Sequence, residues 1–165
     1  MASELRVDRI IPVNGVPTGG GGGIIQMKQT VYSSSDSTTS TSFEDVTGFS
    51  VSITPTSSSS KILVVLSCRV NTSSGSNVNS RASISVFRGA THLINQFVGS
   101  FFGGTGGTDL NTYNSVNTSY LDSPATTSSI TYQVKFSSDN SGCTTSISGG
   151  DNPNRSTLTV MEVSG

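Results

Sequence analysis

The sequence is short of almost everything an active site is built from. It has no tryptophan, one histidine (His92) and two cysteines in 165 residues. A Ser-His-Asp triad would have to use His92, and no Gly-x-Ser-x-Gly turn is there to present the serine. His92 therefore reads as a structural or surface residue. A zinc site takes three or four His, Cys or carboxylate ligands, which His92 and the widely spaced Cys68 and Cys143 do not supply. Two cysteines are also too few for a disulfide framework. Cys68 falls inside a strand pattern, so a buried, reduced thiol is expected. The pattern does not set a pair of carboxylates on one face, as glycoside hydrolysis needs. The expectation is a chain with no catalytic residue, no metal and no cofactor: not an enzyme.

Charge is scarce as well. Charged residues make up 12% of the chain and sum to −1, against about 25% in an ordinary domain. Nine Lys and Arg, scattered, give no electrostatic footprint for nucleic acid. No apolar stretch approaches the ~20 residues of a membrane-spanning helix. The opening MASELRVDRI lacks the apolar core of a signal peptide, so the chain is expected to fold in the cytoplasm where it is made. Asn71, Asn117 and Asn154 each begin an Asn-x-Ser/Thr triplet, as chance allows in so much Ser and Thr. Gly19–Gly23 and Gly103–Gly107 are followed by no Gly-Lys-Ser/Thr and no helix, so neither cradles phosphate. Asp139–Gly142 and Asp151–Asn154 lack the alternating acids of a calcium loop and read as Asx turns.

What fills the space is hydroxyl: 33 Ser and 21 Thr, about a third of the chain. With net charge near zero and β-branched residues throughout, this predicts an all-β fold with Ser/Thr-rich outer faces rather than disorder. The apolar fraction of 32% makes for a thin core, which burial between copies would offset, so an oligomer is expected. The longest apolar run, Ile62–Leu66 within Lys61–Val70, predicts a central strand buried on both faces. Further strands are predicted over Ile24–Val31, Phe43–Val46, Phe49–Ile53, Arg81–Arg88, Leu93–Val98, Tyr113–Leu121, Ile130–Phe136, Thr144–Ile147 and Ser156–Val163, with Ser33–Ser42 a polar loop. No helical period is sustained. Nine or ten antiparallel strands at this spacing give a β-sandwich, most often a jelly roll.

Two places stand outside that body. In residues 1–17, Leu5 and Val7 alternate with Arg6 and Asp8, and Ile10 and Ile11 follow. Such an isolated strand needs a sheet edge on another chain. Five glycines, Gly19–Gly23, join it to the rest, so the division is 1–23, an attachment arm with a hinge, and 24–165, the jelly roll. Extended, the arm reaches about 55 Å at ~3.3 Å per residue. The second place is Phe101-Phe102 beside a glycine loop. These rings could plug a trimer axis, pack beneath their own loop, or meet a receptor.

The opening Ser3–Ile10 (SELRVDRI) and its Pro- and Gly-containing sequel resemble the start of many bacteriophage fibre-like and structural virion proteins, marine and cyanobacterial phages especially. The pieces Phe43–Pro55, Ser60–Val64, Val86–Gly89, Leu121–Thr127 and Leu158–Val163, in this order, are similar to phage virion domains with a trimeric jelly roll of the tumour-necrosis-factor and complement type. The resemblance spans nearly the whole chain and brings no catalytic residue. It implies a homotrimer on the virion surface: a capsid decoration or cement protein held by its arm to the major capsid protein or another virion protein. The alternative it leaves open is a short tail or head fibre whose loops bind a host surface glycan.

Overall fold

In the computed structural model, residues 23–75, 79–100, 110–148 and 155–165 are described. They form ten strands and no helix: β1 (Ile24–Tyr32), β2 (Ser35–Thr38), β3 (Glu44–Ile53), β4 (Lys61–Ser74), β5 (Ser80–Arg88), β6 (Thr91–Ser100), β7 (Leu110–Asp122), β8 (Ile130–Ser138), β9 (Cys143–Ser148) and β10 (Ser156–Val163). The arm residues Leu5, Val7, Ile10 and Ile11, the pair Phe101 and Phe102, the Gly103–Gly107 loop and Asp151–Asn154 lie outside the described residues.

Strand β4 is the axis of the first sheet. One of its edges pairs with β7 along its length, from Ile62↔Asp122 to Ser74↔Leu110. The other edge is shared: its first half takes β10, Lys61↔Val163 to Ser67↔Thr157, and its second half takes β9, Val70↔Ile147 to Ser74↔Cys143. Beyond these lie β1 on β10 and β2 on β9. Thus β1–β2 and β9–β10 each behave as one interrupted strand, and the sheet is four strands wide. The second sheet runs β3-β8-β5-β6. All pairings are antiparallel, and the chain crosses between the sheets in the order of a jelly roll.

Three expectations change. Ser35–Asp36-Ser37-Thr38 is a strand, not loop; with no apolar residue to mark it, it is held by its backbone ladder to β9 and by Asp36, whose carboxylate accepts from the backbone N–H of Ser37 and Thr47. The two short pieces around Phe43 and Phe49 are one strand, kinked by a bulge at which the register slips between Asp45 and Ser50 and Gly48 takes φ 78°. Most consequentially, β4 is not buried on both faces. Ile62, Val64, Leu66, Cys68 and Val70 are buried, while Leu63, Val65, Ser67 and Arg69 on the opposite face are only partly covered.

The core lies between the sheets. Those β4 residues, with Leu158 and Val160 of β10 and Ile147 of β9, meet Val46, Phe49, Val51, Ile53, Ala82, Ile84, Val86, Tyr132, Val134 and Phe136 from the second sheet. Where β4 runs into Thr72 and Ser74, hydroxyls replace hydrocarbon. Ser80 Oγ donates to Thr72 Oγ1 (2.9 Å), Thr72 and Thr112 hydroxyls meet at 2.6 Å, and Ser138 and Thr145 hydroxyls at 2.9 Å. Each of these hydroxyls thereby finds a partner. Asp122 staples the sheets together: it accepts from Tyr132 Oη (2.8 Å), and Arg88 Nε sits 2.7 Å from its carboxylate.

Candidate assembly surface

Alternation along the first sheet's strands sorts their side chains cleanly between core and outer face. On the outer face, the registers Met27↔Met161, Met161↔Leu63 and Leu63↔Leu121 align four apolar residues in a row across β1, β10, β4 and β7. Met27 is 59% exposed and Leu121 47%. Ile24, Ile25 and Val163 flank the row at the sheet's end, and Val65 and Val31 lie further along. Nothing among the described residues covers this patch.

The other half of the same face is finished. Ser67 donates to Asn117 (2.7 Å), Asn71 donates to Asn111 and to the Thr112 carbonyl, and Arg69 lies over the Tyr113 ring at 5.0 Å. Ser35, Ser37, Ser146 and Ser148 complete it. Here the outward groups are polar, and Ser67, Asn71, Asn111 and Asn117 hydrogen-bond one another across β4 and β7.

Below the apolar patch sits an unusual buried carboxylate. Glu162 is fully buried between Ile62 and Gln26 in the register. It accepts from Gln26 Nε2 (2.6 Å) and from the Thr56 N–H and hydroxyl (2.7 Å each). Burial alone would raise its pKa, but these bonds, with one from Ser60, outweigh burial and hold it below the usual value. The effect is a clasp joining β1, β10 and the 54–60 loop.

The outer face of the second sheet is polar except for a cluster of aromatic rings and the separate Phe97. His92 stacks on Phe87 (4.5 Å, 6°) and both meet the edge of Phe43 (5.3 and 5.4 Å). His92 Nε2 donates to the Ile94 carbonyl (3.0 Å) and lies 2.6 Å from Ser85 Oγ. Among the described residues no carboxylate bonds it, and the ring lies exposed on the sheet. Phe97, further along, is 64% exposed with Arg81 beneath its ring at 5.8 Å. Among the described residues no three His, Cys, Asp or Glu side chains gather to hold a metal. Cys68 and Cys143 are free and buried, and burial pushes the Cys68 thiol up to about 12. Asn140 Oδ1 accepts from the Gly142 N–H (3.0 Å), the expected Asx turn.

Sequence reasoning missed the apolar row because its members come from four strands far apart in the chain. The one available signal was the two-faced run Ile62–Leu66, whose outward residues Leu63 and Val65 the described residues cover only in part.

No family description matches the chain, and no curated protein is significantly similar to it. Among solved structures, it aligns with VP2 in a subviral particle of infectious bursal disease virus at a TM-score of 0.38 and 15% identity, over 85% of this chain and 37% of that one. A mutant VP2 of the same virus, in derived T=1 particles, aligns at 0.37 and 15% identity over 98% of this chain and 40% of the other. The chain thus spans about two-fifths of the length of these VP2 chains. Alignments this loose carry neither fold nor function across, and the jelly roll rests on the chain's own strand pairings.

Proposed function

We propose that this chain is a non-enzymatic structural protein of a bacteriophage virion: a homotrimer on the particle surface, joined through the apolar half of the first sheet's outer face and docked on a capsid protein through its N-terminal arm. The observation that carries the self-association is the uncovered row Met27, Met161, Leu63 and Leu121. Apolar surface gains about 25 cal/mol for each Å² removed from water, and a chain with 32% apolar residues has little to spare. A second copy is the natural cover, because a closed ring of copies hides the patch of each one alike. Few charges border the row to select a strongly charged partner. The phage assignment and the threefold number follow from the resemblance of SELRVDRI and the ordered segments after it. Leu5, Val7, Ile10 and Ile11 are the docking residues of the arm.

Light scattering on the full chain tests the assembly: a mass of three chains is expected, and a folded single chain at micromolar concentration would end the reading. Deleting residues 2–17 should abolish attachment to particles and leave a folded body; a truncated protein that still binds particles overturns the arm's role. The fibre alternative is favoured by the exposed Phe97 and the Phe43–Phe87–His92 group, since aromatic faces suit sugar rings. Copy number per virion separates the two, because decoration follows the capsid lattice and a fibre does not.

A further inference from the structure

Exposed sheet edges invite other strands, and folded proteins guard them with lysine, proline, bulges or brevity. Here the guards are unevenly placed. Strand β1 carries Lys28 and a bulge between Ile24 and Gln26. Strand β2 has four residues, one of them Asp36. Strand β3 carries Glu44, Asp45 and the Gly48 bulge. In β6 the register slips opposite Val86/Phe87, and Gly99 takes φ 119°. Strand β7 has none of these. It is 13 residues long, LNTYNSVNTSYLD, with no Lys, Arg, Pro or Gly, and its register to β4 is unbroken. Its one charge, Asp122, is buried.

The hydrogen-bonding sense of that edge can be worked out. The Arg69 N–H points away from β7, since it donates to Ser156 Oγ on the β10 side (3.1 Å). Its register partner Ser115 then also points its N–H and C=O away from β4, by the antiparallel pattern. The odd-numbered residues Asn111 to Leu121 therefore present a ladder of donors and acceptors that no described strand meets, while the even-numbered ones are spent on β4. Tyr120 adds a second sign. It shares a face with the core residue Val116, yet is 42% exposed, so the sandwich is open along this side.

We propose that the β7 edge is a receptor for the N-terminal arm of a second copy, with residues 3–11 added as a further strand. This rests on the trimer reading above and concerns the free trimer in solution, in which the arm has no capsid protein to dock on. Leu5 and Val7 alternate with Arg6 and Asp8 as an added strand requires, and one apolar face could cover Tyr120. The arm leaves its own body beside β1, at the opposite edge of the same sheet from β7. To reach its own β7 it would have to cross the face the trimer buries. In a cyclic assembly two different patches meet at each contact, and the arm's exit and the bare edge are such a pair.

The test is residue-resolved hydrogen exchange on the full-length chain and on a variant lacking residues 2–17. In the full chain the amides of Tyr113, Ser115, Asn117 and Ser119 should exchange at least about tenfold more slowly than in the truncated one. The even-numbered amides should stay protected in both, which reports that the body is folded. Asn117→Pro removes an outward donor without touching the β4 ladder, and should release the same odd-numbered amides in the full chain. A photo-crosslinker in place of Leu5, in a mixture of heavy- and light-isotope chains, should join to β7 between chains. Odd-numbered amides that exchange freely in the full chain, that stay protected after truncation, or crosslinks confined within one chain each overturn the proposal. Molar mass on the same samples separates the two readings. A trimer with a free β7 edge overturns edge docking alone, and a monomer overturns the trimer as well.

Discussion

The two halves of β4 are built on opposite plans. From Ile62 to Leu66 the strand is apolar on both sides: Ile62, Val64 and Leu66 enter the core, and Leu63 and Val65 lie in the apolar patch. From Asn71 to Ser74 it is polar on both sides: Thr72 and Ser74 point into a buried hydroxyl network, and Asn71 and Ser73 face outward beside Tyr113, Asn111, Ser146 and Thr144. The second half satisfies itself within one chain through directional bonds. The first half satisfies only one face that way. Hydroxyls can finish a surface; hydrocarbon can only be hidden. An assembly function is therefore to be sought in the first half.

The largest expected effect breaks this contrast directly. Leu63→Glu should reduce the assembly to single folded chains by light scattering, because a carboxylate buried in an apolar contact costs several kcal/mol. Asn71→Glu, on the same face of the same strand, should leave the mass unchanged. A dissociated Asn71→Glu or an intact Leu63→Glu would reverse the assignment of the two halves.

Next is Glu162, which closes the apolar half from below. Glu162→Gln should cost about 3 kcal/mol near neutral pH in urea denaturation, since it sets an amide against donors arranged for an anion. Its folded pKa lies below the ordinary 4.5. The carboxylate's contribution is therefore fully present above that ordinary value and is lost as pH falls through the lower folded one. The stability difference between the natural chain and the variant should shrink over that acid range; a difference that grows there would contradict the clasp.

In the polar half, Thr72→Val keeps the shape but strands the Ser80 hydroxyl and takes the Thr72 bond from Thr112, and should cost about 2 kcal/mol in the same assay. The smallest effect is expected at the junction of the halves. Tyr32 stacks on Phe49 (4.8 Å), and its buried hydroxyl has no hydrogen-bond partner among the described residues. Tyr32→Phe should raise stability by about 1 kcal/mol, and a loss would mean that hydroxyl is engaged.

Much of the fold was legible because most strands carry alternating apolar residues, as in Phe49-Ser50-Val51-Ser52-Ile53 and Ala82-Ser83-Ile84-Ser85-Val86. Strand β2 was not, since Ser35-Asp36-Ser37-Thr38 offers only backbone to its neighbour and backbone pairing leaves no mark on residue choice. The candidate surface was half legible. The run Ile62–Leu66 signalled two faces to be covered, but Met27, Leu121 and Met161 look like isolated residues in three ordinary strands.

By itself the sequence determined the class: periods of two, hydroxyl-rich turns and the lack of any helical pattern leave an antiparallel sandwich. Only the tertiary structure decided which side of β4 faces the core, that four distant apolar residues share one row, and that β7 is the unguarded edge. These are facts of register and strand order, fixed by pairings between segments far apart in the chain, and no local stretch of residues encodes them.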